Sequence, residues 1–461
     1  MLGSKDKAEL FEHVPVKSAV LRQIVPSIAS QMIVLLYNLA DTYFVGKLND
    51  PVQTAAVTVS YSAFLMLTAI SNLFAVGGAG LLSRSLGKKE RRKAESVASI
   101  SFWCGLGCAV VFCVLFWLFA PPVLRLCGAT ETTYPAAYRY SRWVILAGGV
   151  GTVLNVLLAN LVRAEGSAVA AAFGVSFGGL LNLFLDPLFI LPQFLAFGAE
   201  GAGMATALSN LAAALFFLCY LFVRRRTTVV QIDPRRLRDT PSYIGGILAI
   251  GIPSAVQFVL TVVSVAALSK FVSGYATEAV AGLGIVKKLD QLPLYFSIGV
   301  ANGLLPLLAY NHAAGNQKRR HEAFLFGCSI SLGFSLLCLV CYECFAPYLT
   351  GLFIRNAETI AYSARFLRIM VVAMPMMSVC YPMIIQFQAM GRVRESLVCS
   401  VLRKGVLDLP LLFLLDSIAP LYGCMAVQPI VDSISLVFAV HFYRQIRREP
   451  AEQPAWHGER A

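Results

Sequence analysis

Two carboxylates stand where the chain is otherwise apolar enough to lie in a bilayer: Asp41 in LLYNLADTYFVG and Asp186 in LLNLFLDPLFILP. A charge in hydrocarbon is costly, and by default it marks a functional site. Each acid has a polar companion one helical turn earlier, Tyr37 before Asp41 and Asn182 before Asp186, and residues four apart share a helix face. Asn38 adjoins Tyr37, and Pro26 lies upstream in the same stretch, where a proline can kink a helix. A further apolar stretch opens with GAEGAGMATALSN, whose small residues permit close helix approach and which carries Thr206. Two carboxylates, a carboxamide and a hydroxyl make a set of hard oxygen donors. Such a set can bind Na⁺, or share a proton between two buried acids that cannot both ionise cheaply. Spacing does not say whether the residues meet. Asp41 lies near the loop at 46–51 and Asp186 precedes Pro187, so each could instead be a capped or wetted residue at a helix end.

The elements that must position these groups follow from composition. Of 461 residues, 57% are hydrophobic and 14% charged, with a mean hydropathy of +0.70. Soluble domains run at about 45–50% apolar and about 25% charged. That balance predicts an all-α membrane protein. A helical crossing needs about 20 mostly apolar residues, and twelve such stretches are centred near Leu35, Leu65, Phe112, Val150, Leu181, Leu215, Val259, Ile298, Phe334, Met374, Leu407 and Leu436. The short alternating segments that a transmembrane β-barrel needs are not seen.

Lys and Arg cluster at 84–93, 224–238, 318–320, 392–394 and 444–448, in the even-numbered loops and the C-terminal tail. The positive-inside rule therefore places both termini in the cytoplasm. Arg125, Arg139 and Arg142, on the other side, weaken the contrast. The net charge of +13 reflects this asymmetry and attraction to anionic membrane lipid, with no nucleic-acid partner implied. MLGSKDKAELFEHVPVK has no apolar core followed by a cleavage site, so the first crossing is expected to be its own insertion signal. Most of the 12 cysteines sit inside apolar runs as small hydrophobes, and the five histidines lie near ends or loops. No cofactor, structural metal or enzymatic nucleophile set is expected.

An internal repeat organises the crossings. VPSIASQMIVLL is echoed by IPSAVQFVLTVV, GLLSRSLGKKERRKAE by GLLPLLAYNHAAGNQKRRHEA, RAEGSA by QAMGRV and LFLDPLFIL by GVLDLPLLFLL, at offsets of about 220–230 residues. Equivalent loops carry the positive charge in both halves, so the repeat is parallel. The expected architecture is two six-helix lobes about a pseudo-two-fold axis along the membrane normal, with a cleft between them. The lobes span 1–223 and 243–445, joined by a cytoplasmic linker at 224–242 and followed by a cytoplasmic tail at 446–461. The second lobe has charges of its own, Lys287, Lys288 and Asp290, and Arg403, Lys404 and Asp408. Spaced three or four apart, they are expected to pair along their own helices.

NLADTYFVGKL, GGAGLLSRSLGKKERRKAE, RAEGS, LNLFLDPLFI and GAGMATALSN, with GIPSAVQF, LLPLLAYNHAAGN and QAMGR in the second half, resemble in content and order the multidrug and toxic compound extrusion (MATE) family of bacterial transporters. The resemblance runs from about residue 15 to about residue 445. It implies a multi-pass antiporter of the bacterial inner membrane that exports small amphipathic, often cationic compounds by alternating access. Inward H⁺ or Na⁺ would drive it, and a monomer would suffice. It also implies a cation site in the first lobe at Asp41, Asn182, Asp186 and Thr206, where Na⁺ is possible, and cavity contacts at Tyr37, Asn38 and Asn160. Pro26 becomes the point at which the first helix bends. The branch typified by NorM adds carboxylates in helices seven and ten. PSAVQFVLTVVSVAALSKF and MPMMSVCYPMIIQFQAM have none, so the chain is more similar to the DinF- and MepA-like branches, with coupling carried by the first lobe. A flippase for a lipid-linked substrate, from the wider superfamily, shares the two-lobe design. Lys287, Lys288, Arg403 and Lys404 keep that alternative open.

Overall fold

A computed structural model describes residues 9–48 and 50–448. Its first half consists of α1 (Val16–Gly46), α2 (Pro51–Gly87), α3 (Arg91–Leu126), α4 (Tyr134–Ser141), α5 (Gly149–Ala164), α6 (Ala168–Ile190) and α7 (Ala199–Val223). The second comprises α8 (Thr240–Ser273), α9 (Thr277–Ala313), α10 (Gln317–Gly351), α11 (Ala357–Val371), α12 (Met374–Met390), α13 (Val393–Val401), α14 (Asp408–Ile418) and α15 (Tyr422–Arg448). The expected tail at 446–461 lies outside the described residues beyond 448.

Nine of these helices are each long and apolar enough to cross a membrane. Two further crossings are broken, α4 to α5 bending by 48° and α11 to α12 by 46°. A third broken crossing joins α13 to α14 through a π-helical turn, Leu402–Val406, in which Lys404 leaves the helical backbone region. Twelve crossings result, three of them interrupted where the sequence suggested continuous runs. Large apolar side chains such as Val111, Trp117, Phe184, Phe222, Leu337 and Val437 face outward. A soluble helix would turn that face to a core, whereas in a bilayer it meets lipid.

The repeat is written into the backbone. Phe119 of α3 and Phe345 of α10 both leave the helical region, at φ −114°, ψ 20° and φ −113°, ψ 15°. They are 226 positions apart, and each stands two residues before a proline, Pro121 or Pro347. A proline lacks the N–H of the helical ladder and its ring crowds the preceding turn, which forces the bend. Pro26 and Pro253 are likewise equivalent in position, inside α1 and α8. Unlike Phe119 and Phe345, no residue of α1 around Pro26 leaves the helical region.

The halves meet where the basic loops lie. Gly299 and Gly303 of α9 let α1 approach so closely that a Cβ at either position would stand 2.7 Å from the Cα of Ile28 or Ile24. Gly77 of α2 abuts the Ile247 carbonyl, and Gly251 of α8 abuts that of Leu73. These approaches fall in the part of each helix nearer the basic loops, so the lobes are closed at that end. The segment before α1 adds a strap. Phe11, 1% exposed, stacks on Tyr310 of α9 with ring centroids 5.0 Å apart, and Tyr310 donates to Glu12 at 2.6 Å. Arg319 of α10 donates to the carbonyls of Phe11 at 2.7 Å and Val14 at 2.5 Å.

The connection between the halves is pinned to the first. Buried Glu165 accepts from Thr228 at 2.7 Å and from the Val229 amide at 3.0 Å, and Arg236 donates to Glu95 at 2.5 Å. At the end away from the basic loops, Arg125 pairs with Glu131 at 3.0 Å and Arg142 with Glu200 at 2.8 Å. Two of the three arginines that weakened the charge contrast are therefore neutralised locally.

Candidate functional site

Helices α1 and α6 lie side by side because Gly179 offers no side chain. A Cβ there would be 2.8 Å from Ile33 and 3.1 Å from the Tyr37 ring. Gly179, Asn182 and Asp186 sit on one face of α6, at intervals of three and four residues. That face receives the Ile33, Tyr37 and Asp41 stripe of α1, with successive members four apart. The structure thereby brings together the two acids that spacing could not join. Asp41 lies within electrostatic reach of Asp186.

Burial around the pair is deep. Asp186 is fully buried and Asn182 is 2% exposed, and the Asn182 amide donates to one Asp186 oxygen at 3.2 Å. Three oxygens remain buried without a hydrogen-bond partner, Asp41 Oδ1, Asp186 Oδ2 and Asn182 Oδ1. Orphaned buried acceptors are rare in folded proteins, because each forfeits its hydration without recompense. Three in one place, two of them on carboxylates, define a site suited to a proton or a small hard cation.

Tyrosines surround it. Tyr140, buried, lies within electrostatic reach of both carboxylates and of Tyr37 and Tyr61. Sequence reasoning missed Tyr61 and Tyr140, whose aromatic neighbourhoods give no periodic or motif signal of their own. Asn38 donates to the hydroxyl of Tyr295 at 3.2 Å. That bond joins α1 to α9, and so one half to the other, one turn from Asp41. Tyr295 was also missed, since only tertiary packing places it opposite Asn38.

The remaining expected residues make no hydrogen bond to this centre among the described residues. Thr206, half-buried on α7, is hydrogen-bonded to neither carboxylate among the described residues. The Asn160 side chain donates to the Val156 carbonyl at 2.8 Å and accepts from Arg163 at 3.1 Å, within its own helix. Pro26 lies between two of the seam contacts of α1, at Ile24 and Ile28.

In the second half the counterpart of Asp186 is Asp408, by the echo of LFLDPLFIL in GVLDLPLLFLL. It accepts from Ser264 at 2.5 Å. The position matching Asn182 holds Lys404. The expected pairing of Lys and Asp along their own helices is not what the structure holds. Lys404 donates to Gln428 of α15 at 2.5 Å, and Arg403 forms an ion pair with Asp432 of α15 at 2.8 Å, both members 1% exposed. The physical reason is the π-helical turn at Leu402–Val406, which breaks the one-turn register between Lys404 and Asp408. Lys287 joins Ser264, Asp408 and Gln428 in lining a small cavity, and no ion pair links it to Asp290 among the described residues. Asp432 carries the same signal as Asp186, a lone acid in an apolar stretch, and was overlooked.

Comparison with known proteins agrees with this architecture. The MatE family model matches residues 26–188 and 253–414. Multidrug export protein MepA of Staphylococcus aureus is 26% identical over 430 residues, covering 93% of this chain and 94% of that protein. A multidrug resistance MATE transporter of the MOP superfamily, solved in an outward-facing conformation, superposes with a TM-score of 0.88 at 24% identity, over 95% of this chain and 97% of that one. A MATE transporter in its straight conformation gives a TM-score of 0.86 at 25% identity, with the same coverage. All-α, with twelve crossings in two lobes and no enzymatic role, the chain belongs to the MatE family of membrane transporters.

Proposed function

We propose that this protein is a cation-coupled multidrug efflux antiporter of the bacterial inner membrane, with its coupling site in the first lobe at Asp41, Asn182 and Asp186. The observation that carries the proposal is the presence of three unpartnered buried oxygens, two of them on carboxylates within electrostatic reach of each other. Inward-moving H⁺ or Na⁺ neutralises the pair, and Thr206 on the adjoining α7 completes the oxygen set as the lobe repacks. The substrates are small, amphipathic and cationic. Tyr37 and Asn38, beside the acids and at the bond to the opposite lobe, are their first contacts in the cleft. Asn160 contributes only if it exchanges Arg163 for substrate.

The working lobes are 1–223 and 243–445, with the linker at 224–242 riding on the first through Glu95 and Glu165. With basic loops and both termini cytoplasmic, the close packing at the basic end makes this the state closed to the cytoplasm. Bending at Pro26 separates the part of α1 held at the seam from the part carrying Asp41. Cation and substrate oppose each other's binding, and by linkage they do so by the same free energy. A single chain holds both lobes, so a monomer suffices.

The second lobe is not the coupling site on this reading. Where the first lobe has Asn182 it has Lys404, an ammonium built into the protein in place of an exchangeable cation. The flippase alternative relies on basic groups free to hold a pyrophosphate. Of the four basic residues, Arg403 is committed to Asp432 and Lys404 to Gln428, leaving only Lys287 and Lys288, which favours the antiporter.

The test is ethidium transport by purified protein in proteoliposomes, under an imposed Na⁺ gradient and, separately, a pH gradient. Movement with one gradient and its loss in Asp41→Asn and Asp186→Asn, both still folded, is the expected result. Gradient-driven transport retained in Asp186→Asn would sink the assignment of the site.

A further inference from the structure

The seam at the basic end holds a charge cluster that transport as proposed does not use. Arg84 of α2 reaches across from the first lobe and lays its guanidinium against Gly391, the residue that ends α12 at φ +74°. Gly391 is suited to this on two counts, since a side chain there would be strained and would displace the arginine. Around Arg84 the second lobe presents His312 near the end of α9, Arg320 in the first turn of α10, and Arg392 just after Gly391. His312 lies within electrostatic reach of Arg84, Arg320 and Arg392. Arg320 Nη1 is 3.4 Å from His312 Nδ1 and also donates to the Met390 sulfur, while its Nε is buried without a partner.

Carboxylates do not balance the cluster. Arg392 has Glu395 at 3.9 Å. Among the described residues, no acid forms an ion pair with Arg84, Arg320 or His312. Guanidiniums from opposite lobes thus share the neighbourhood of His312 at the closed end of the seam, where like charges repel. A planar guanidinium presents a fork of donors matched to phosphate oxygens, and two such forks with an imidazole provide donors for one tetrahedral anion. The cluster also lies where the helices end in basic loops, at the level of lipid headgroups, and basic pockets between crossings bind acidic headgroups.

We infer that the seam binds a phosphate-bearing anion between Arg84 of the first lobe and His312, Arg320 and Arg392 of the second. The bound anion bridges the lobes and favours the state closed at the basic end. Its release leaves the opposed charges to assist opening. A ligand that contacts both lobes only when they are together shifts the equilibrium toward that state by its differential affinity. The inference does not depend on which cation drives transport.

The experiment uses the purified full chain in phosphatidylcholine nanodiscs, supplied with phosphatidylglycerol in one arm and inorganic phosphate in the other. Retained lipid is read by native mass spectrometry, and phosphate binding by the thermal unfolding midpoint. Retention of phosphatidylglycerol over phosphatidylcholine assigns the site to a headgroup, and protection by phosphate alone assigns it to a free anion. In either arm Arg84→Gln weakens the effect by about tenfold, the order expected for one charged hydrogen bond, while Arg84→Lys, which keeps the charge but loses the fork, retains only part of it. If Arg84→Gln does not fold, Arg320→Gln serves in its place. Equal retention of the two lipids with no protection by phosphate, or effects untouched by these variants, would overturn the inference.

Discussion

Replacing Gly303 with Ala would put a methyl carbon 2.7 Å from the Ile24 Cα and 2.8 Å from the Gln23 carbonyl oxygen. Ordinary contact begins at 3.4 Å, and both neighbours are backbone atoms of α1, which cannot rotate aside. Helices α1 and α9 must therefore separate by about 0.7 Å at the seam, and overpacking of that kind costs about 1–3 kcal/mol. The cost falls only on the state in which the basic end is closed. The equilibrium between closed and open seams should shift by about 5- to 150-fold toward open. Gly284→Ala on the same helix, where a Cβ meets nothing within 4 Å, is the control. It shares the gain in helix propensity of about 1 kcal/mol without the clash. Hydrogen–deuterium exchange of peptides covering 16–30 and 296–313 reports seam opening directly. Faster exchange in Gly303→Ala, with Gly284→Ala unchanged, is expected. Folded Gly303→Ala with the exchange of the parent protein would refute the claim that this approach holds the lobes together.

Other outcomes follow from the same geometry. Tyr295→Phe removes the acceptor of Asn38 and should weaken the interlobe contact by about 1 kcal/mol, seen as a severalfold change in substrate affinity with unfolding temperature unchanged. Asp432→Asn breaks the buried pair with Arg403 and should destabilise the second lobe by about 3–5 kcal/mol, whereas replacing both members by apolar residues of similar volume should restore much of it, as measured by thermal unfolding in detergent. Asp50 caps α2, and the Gln53 side chain, with the backbone amides of Gln53 and Val52, holds its carboxyl below the ordinary carboxylate range. Because the folded-state value is depressed, the contribution is complete above the unfolded value and is lost as pH falls through the folded one. Asp50→Asn, which cannot titrate, should show a shallower loss of unfolding temperature across that acid range; an identical pH profile would count against the cap.

Long-period signals were legible in the sequence. Twelve apolar runs, their basic loops and the repeat depend on composition and local order, and each survived into the structure, down to paired kinks at Phe119 and Phe345. Proline chemistry acts within one turn, so Pro121 and Pro347 bend their equivalent helices alike, whereas Pro26 sits in α1 with no break in the helical backbone. The breaks at 148, 372 and 402–406 were not legible, because residue types found there, glycines such as Gly148 and Gly405 and charges such as Arg403 and Lys404, also occur inside unbroken crossings. The Lys404 and Asp408 expectation failed for the same reason: it assumed a continuous helix across the π turn.

The candidate site divides along the same line. Sequence alone determined that Asp41 and Asp186 are costly charges in apolar helices and that Asn182 shares a face with Asp186, since helical period fixes neighbours on one helix. It also placed the two halves in the same orientation, through the distribution of Lys and Arg. Only the tertiary structure decided that the acids lie within electrostatic reach of each other, because that depends on Gly179 admitting α1 against α6. Packing likewise set Tyr295 opposite Asn38, paired Arg403 with Asp432 and carried Arg84 across the seam. Contacts between helices depend on which residues are small enough to let backbones approach, and that choice is made by the pair of surfaces together, which neither stretch of sequence contains by itself.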